Sequence, residues 1–334
     1  MASNLPAVHP ALAAMLGDGA PLDTPLEQLR DSSDRVGRET AGEPPAGIVA
    51  RDLHVPLADG ERIDVRVYRL EGADPYAAPA IVYFHGGGWA TGTLDGFDAV
   101  ARNLARFSDG VVVSVDYRLA PEHAHPVQLD DSVAAVRWVR EHAAMLGVDA
   151  ARIALAGDSA GAHLALGAAL ALRDADALAD DERDSLGDDE DDEGDEDAAP
   201  IAGVLAFYPC LDPACDTPSW DALGVGHYLT RERMRFYWRA LLGARADRPP
   251  ASASPWLAED LSGLPPTWVM VAECDPLRDE GEAFAQDLRE AGVVVHAERR
   301  AGMLHGFLRW RTLVPDEADG AVEAACRWLA AQRA

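Results

Sequence analysis

The stretch 156–172, AGDSAGAHLALGAALAL, begins with small and polar residues and turns into a long apolar run. It follows 152–156, RIALA, whose apolar residues suit a buried strand. The Ala- and Leu-rich tail favours a helix. Ser159 therefore stands where a strand gives way to a helix, with Gly157 and Gly161 two positions to either side. One reading is packing, because small residues let a helix lie close to a sheet. The other is chemical: in a G-x-S-x-G turn the glycines relieve crowding, and the serine hydroxyl is lifted clear of the sheet.

Outward from this stretch, the same alternation recurs. Apolar runs at 80–84 (AIVYF), 111–115 (VVVSV), 201–208, 267–273 and 293–298 are expected as strands. Helices are expected near 97–107, 127–146, 159–173, 279–291 and 317–332. Strands that are apolar throughout, separated by helices, imply a mostly parallel sheet covered on both faces, an α/β fold. Residues 48–69 alternate more clearly and turn at Asp59-Gly60, which predicts an antiparallel hairpin leading into the sheet. Two segments break the rhythm: 1–47, and 212–256, which is rich in Trp, Pro and Arg. Both are expected to pack over the carboxyl edge of the sheet as a cap. The core is then divided into 48–211 and 257–334.

Charge is unevenly distributed. The 334 residues carry 57 acidic against 29 basic side chains, a net −28, and every basic residue is arginine. Such a balance repels nucleic acid and anionic membranes. It fits either a GC-rich coding bias or a carboxylate surface suited to concentrated salt. The excess is densest at 174–199, which reads as a disordered, solvated loop without calcium-loop spacing. No run suggests a membrane span or a secretion signal, and four irregularly spaced cysteines fit free thiols in the cytoplasm.

In open α/β sheets ligands bind beyond the carboxyl ends of the strands, so the residues following each strand matter most. After 80–84 comes His85-Gly86-Gly87-Gly88-Trp89. Bare peptide N–H groups in such a loop can donate to a developing oxyanion, together with the N–H of Ala160 at the helix start. The loop lacks the Lys-Ser/Thr of a phosphate cradle and the G-x-G-x-x-G of a dinucleotide site, so no cofactor is expected. A serine needs a base, and the base needs an orienting acid. His305, in the loop MLHGF, and Asp275, just beyond 267–273, supply them in the chain order Ser, Asp, His. Singly, Asp275 also suits a helix cap and His305 an ordinary turn; the joint placement favours chemistry.

The remaining polar residues read otherwise. His163 lies one helical turn after Ser159 and suits packing beneath the elbow. His123 and His125 have no third ligand at a metal-binding spacing, so no metal is expected. Asp158 either tunes the serine or holds the neighbouring loop, and Asp116, Arg118 and Glu122 read as a structural charge network.

The motifs YFHGGGWATG, VSVDYRLAPEHAHP, IALAGDSAGAHLA, YPCLD, CDPLRDEG and MLHGF occur in this order from about 80 to 307. They resemble the hormone-sensitive-lipase-like (bacterial family IV) esterases of the α/β-hydrolase superfamily. The resemblance implies hydrolysis of small- to medium-chain carboxylic esters, with Ser159 as nucleophile, His305 as general base and Asp275 as orienting acid. It implies an oxyanion hole from Gly86 or Gly87, Gly88 and Ala160, and a helical cap. Many members dimerise, which makes a homodimer a candidate assembly. The acidic insertion departs from the family pattern without touching a catalytic residue. Trp89, Tyr208, Trp220 and Phe307 are expected to line the substrate pocket. An amidase or arylformamidase would use the same triad. A non-catalytic receptor would be marked by loss of the histidine, which is present.

Overall fold

The computed structural model describes residues 5–73, 77–186 and 199–332. Eight strands form one mixed sheet: β1 (Ile48–Pro56), β2 (Arg62–Leu70), β3 (Ala78–Phe84), β4 (Val111–Asp116), β5 (Val148–Asp158), β6 (Val204–Phe207), β7 (Thr267–Ala272) and β8 (Val295–Arg300). Their spatial order is β1-β2-β4-β3-β5-β6-β7-β8. The first two form the expected antiparallel hairpin, β2 pairs antiparallel with β4, and all later pairings are parallel.

The apolar strands are buried from both sides. Along β3, Ala80, Val82 and Phe84 join one core cluster while Ile81 and Tyr83 join the other. Each fully buried Val, Ile or Phe is worth about 1.5–3 kcal/mol, so a strand packed on both faces is stabilised twice over. The edge strands β1 and β8 are mostly exposed or half-buried, as their more polar sequences require.

Helices cover both faces: α1 (Leu26–Thr40), α2 (Asp98–Ser108), α3 (Val127–Glu141), α4 (Ala143–Leu146), α5 (Ala160–Leu186), α6 (Pro218–Leu223), α7 (Arg231–Leu242), α8 (Arg278–Glu290) and α9 (Pro315–Gln332). The helix expected over 127–146 is divided at His142, whose ring Nδ1 lies 2.9 Å from the Trp138 carbonyl and competes for it with the backbone. The strand expected over 293–298 starts later, at Val295, because the N–H of Val293 is spent closing the end of α8 on Leu288.

The acidic run requires a correction. Its first part is helical rather than loop, since α5 continues to Leu186. Ala, Leu, Arg and Glu within it are good helix formers, and extending a seated helix avoids the cost of a new nucleus. The rest of the run, 187–198, lies outside the described residues. Among the described residues no helix is long and apolar enough to cross a membrane.

The central helix explains the small residues of the opening stretch. A Cβ at Gly161 would lie 1.9 Å from the Phe84 carbonyl oxygen, and one at Gly157 would lie 2.1 Å from that of Gly161. Close packing is therefore obligatory here, and it presses the start of α5 onto the end of β3.

Candidate active site

Four loops converge beyond the carboxyl ends of β3, β5, β7 and β8. Between β5 and α5, Ser159 is held at φ 56°, a left-handed conformation that non-glycine residues rarely adopt and that marks a sharp elbow. Its Oγ lies 2.9 Å from His305 Nε2. On the other side of the ring, His305 Nδ1 is 2.7 Å from Asp275 Oδ2. Asp275 is fully buried, and its second oxygen accepts from the Leu277 N–H at 2.9 Å. A carboxylate takes a proton donor at Nδ1, which leaves Nε2 free to accept from the serine hydroxyl. The geometry is that of a nucleophile, its base and the base's orienter.

The two readings of Asp158 are resolved by its contacts. Oδ1 accepts from the Tyr83 hydroxyl at 2.6 Å and from the Gly86 N–H at 2.9 Å, and Oδ2 lies 3.4 Å from the Tyr208 hydroxyl. Burial raises its carboxyl above the usual range, against the opposing pull of Tyr83 and Arg309. Asp158 thus ties the glycine loop to the elbow. Gly86 must be corrected as an oxyanion donor, because its N–H is already committed. Among the described residues, no acceptor takes the N–H of Gly87, Gly88 or Ala160. Gly88 has φ +60°, and a Cβ there would meet the Tyr237 ring at 2.2 Å, so the ring lies directly against the bare backbone.

The triad opens into a cavity of about 230 Å³. Its walls come from the glycine loop, from Leu29, Ser32, Ser33 and Val36 of α1, and from Arg233, Met234 and Tyr237 of α7. Asp18, Tyr228, Leu229, Arg309 and Trp310 also line it. None of the four expected aromatics belongs to this lining. Trp89 is buried against His163 and Trp238, with ring centroids 4.9 and 4.4 Å away. Tyr208 stands edge-on to His305 at 5.0 Å and supports it from behind, with Phe307 a further 5.9 Å away. The Trp220 Nε1–H donates to Glu280 at 3.1 Å. All four pack into the interior behind the wall instead of forming part of it. The wall residues that the sequence reading missed leave one signal: α1 and α7 lie within the two segments that break the strand–helix rhythm.

The other polar residues have structural partners. Arg118 pairs with the buried Asp131 and with Asp59, and Glu122 pairs with Arg30 of α1. Asp116 Oδ1 lies 3.9 Å from the ring of His85, which burial keeps neutral, and burial raises the Asp116 carboxyl to about 6. Glu280, fully buried, accepts from the Leu211 N–H at 2.6 Å as well as from Trp220, and burial raises its carboxyl well above the usual range. His125 lies 3.2 Å from the Ser252 hydroxyl.

His163 packs under the elbow, its Nε2 2.8 Å from the Ala253 carbonyl, and burial pushes the ring down to about 4. As pH falls, the unfolded chain, with an ordinary histidine near 6.5, takes up the proton before the native one does. The stability gained by keeping this ring neutral is complete above about 6.5 and is lost progressively towards about 4. In urea titrations, His163→Gln should therefore gain on the parent by about 1.4 kcal/mol per pH unit across that window. A gap independent of pH would show that the native ring titrates normally.

A family model described as "alpha/beta hydrolase fold" matches residues 81–309. The chain belongs to the α/β-hydrolase family. Within it, the chain falls in the hormone-sensitive-lipase-like, family IV esterase branch, and Ser159, His305 and Asp275 are its triad. An ethyl acetate hydrolase of Pseudomonas putida is 34% identical over 301 residues, 90% of this chain and 87% of that one. The carboxylesterase NlhH of Mycobacterium tuberculosis is 39% identical over 257 residues, 76% and 72% of the two chains. Among solved structures, a Pyrobaculum calidifontis esterase superposes with TM-score 0.83 at 33% identity, covering 98% of this chain and 99% of its own. A thermostable esterase from Pseudomonas putida superposes with TM-score 0.85 at 30% identity, covering 99% of both chains.

Proposed function

We propose that this α/β-hydrolase cleaves short- to medium-chain acyl esters through an acyl-enzyme. The observation that carries the reading is the continuous relay from Asp275 through His305 to Ser159 Oγ, opening into a small cavity beside bare backbone N–H groups. Ser159 Oγ attacks the ester carbonyl while His305 Nε2 takes its proton. The N–H groups of Gly87, Gly88 and Ala160 receive the negative charge on the carbonyl oxygen, a task in which each donor is typically worth about 10²–10³ in rate. His305 then returns the proton to the leaving alcohol, and the acyl group stays on Ser159. Water, deprotonated by His305, attacks the acyl-enzyme and releases the acid.

Segments 1–47 and 212–256 form the cap in this reading. They supply α1 and α7 to the cavity wall, and an isolated bridge joins them between Gly17 and His227. The cavity, at about 230 Å³, is smaller than the roughly 300–1,000 Å³ of pockets for drug-sized ligands, which favours short acyl groups. p-Nitrophenyl esters from acetate to palmitate test this. Turnover should peak on short and medium chains and be nearly absent on palmitate. A maximum on the long chains would contradict the size argument, and activity on amides with none on esters would move the reading to an amidase. The names of the relatives, hydrolases of ethyl acetate and of other carboxylic esters, support the ester.

Salt adaptation belongs to the same proposal. A net charge of −28 opposes compaction, and screening relieves that repulsion. Melting should rise by several degrees, and activity should increase, between dilute buffer and molar salt. An unchanged melting temperature would leave the acidity as composition bias. Four free, buried cysteines support a reducing, cytoplasmic setting.

A further inference from the structure

Among the described residues, two arginines in the wall of the catalytic cavity lack a carboxylate partner, in a chain with about twice as many acids as bases. Arg309, four residues beyond the catalytic His305, is 9% exposed, and its guanidinium lies 4.1 Å from the Phe97 ring centre. Its Nη2 donates to the Ser33 carbonyl at 2.6 Å and its Nη1 to the Ser33 hydroxyl at 3.4 Å. Its Nε–H has no acceptor among the described residues. Arg233 on α7 is 7% exposed, and its Nη2 donates to the carbonyls of Ala20 and Pro21 at 3.1 and 2.7 Å. The buried Nη1 of Arg233 has no acceptor among the described residues. Arg66, Arg118 and Arg311, by contrast, are paired with Asp52, Asp131 and Asp319.

A guanidinium keeps its charge in a protein, and burying it without a counter-charge is costly. Two carboxylates reach the same cavity, and both are engaged. Asp158 is held by Tyr83 and the Gly86 N–H, and Asp18, on the exposed rim, accepts from the Gly226 N–H at 2.6 Å. Both arginines are close enough for their charges to act on the hydroxyl of Tyr237, the ring that lies against Gly88, and Arg309 also acts on Asp158. The wall of the cavity beside the nucleophile thus carries two guanidinium groups that no carboxylate among the described residues pairs directly.

We propose that the preferred substrates are esters bearing a carboxylate on the part of the molecule that occupies this cavity, with Arg309 and Arg233 as the anion contacts. The inference rests on the esterase reading and narrows it to a substrate class. A charge-assisted hydrogen bond in a desolvated site is strong enough to dominate the choice between an anionic ester and its neutral isostere.

Matched pairs test it. Monoethyl succinate against ethyl butanoate places the charge on the acyl part, and 4-acetoxybutanoate against butyl acetate places it on the alcohol part. In at least one pair the anionic ester should exceed its neutral partner in kcat/KM by about 10-fold or more. Arg309→Gln and Arg233→Gln should each lower that ratio by about 10-fold, whatever they do to the neutral ester, and Arg309→Lys should restore part of it. Arg235→Gln, outside the cavity, should leave the ratio where it was. Equal losses on both members of a pair would make the arginines structural ties between the core and the segments above it, and would overturn the inference. So would a parent ratio of one or less in both pairs while the neutral esters are turned over. That parent ratio decides the matter even if a variant fails to fold. No turnover of any of the four esters would remove the esterase reading, and the inference with it.

Discussion

Replacing Ser159 by alanine should lower kcat on a short acyl ester by about 10⁵- to 10⁶-fold, leaving the small rate that binding and oxyanion contacts alone sustain. The size follows from the relay. Ser159 Oγ, His305 and Asp275 are joined by contacts of 2.9 and 2.7 Å, so removing one member leaves the others without a task. His305→Ala should cost about as much as Ser159→Ala, and the double variant should be little worse than either. Asp275→Asn should cost about 10⁴-fold, because an amide can donate to Nδ1 and so favours the wrong tautomer. Steady-state kinetics on p-nitrophenyl acetate, with thermal melts to confirm folding, check all four variants. Additive losses in the double variant would mean that the serine and histidine act separately.

Gly161→Ala should destabilise the fold by about 3 kcal/mol or more, for the addition of a single methyl group. The new Cβ would lie 1.9 Å from the Phe84 oxygen and 2.7 Å from that of His85, both backbone atoms, the first at the end of paired strand β3. Helix α5 would have to lift from β3 and carry Ser159 with it, so activity should fall alongside stability. Gly320→Ala provides the contrast. It lies within α9 with nothing within 4 Å of its Cβ position, and it should stabilise by about 0.5–1 kcal/mol through the unfolded chain. Urea unfolding of the two variants separates these outcomes. A mild effect at Gly161 would show that the elbow tolerates a wider helix–sheet spacing than the contacts imply.

The fold and the triad were legible because their signals are local. Strands such as 80–84 and 111–115 are apolar without a break, and Ser159 and Asp275 follow β5 and β7 within a few positions, while His305 follows the more polar edge strand β8. The packing reading and the chemical reading of 156–172 both hold, since the glycines that seat α5 also expose Ser159. The cavity wall was not legible in the same way. An aromatic side chain near the site can face the cavity or back the residues that do. Tyr208 and Trp89 do the second, and only the tertiary packing separates the two cases. The triple glycine marked an exposed backbone, but the contact from Asp158 to the Gly86 N–H crosses from one loop to another. The acidic run misled through its charge: composition argued for a solvated loop, while the helix-forming residues at its start extend α5 to Leu186.

From β3 onward on one side of the sheet, position in space repeats position in the chain: β3, β5, β6, β7, β8. A polypeptide made from its N-terminus completes each of these strands before the neighbour that will cover it exists. When β5 is in place, its outer edge waits for β6, and a bare strand edge invites pairing with another copy of the same chain. The acidic run that joins α5 to β6 is made before β6, so it is present while that edge is still open. Two half-made chains approaching through that edge would bring their densest like charges together. Electrostatic repulsion then acts against mispairing at the step when the growing sheet is least protected.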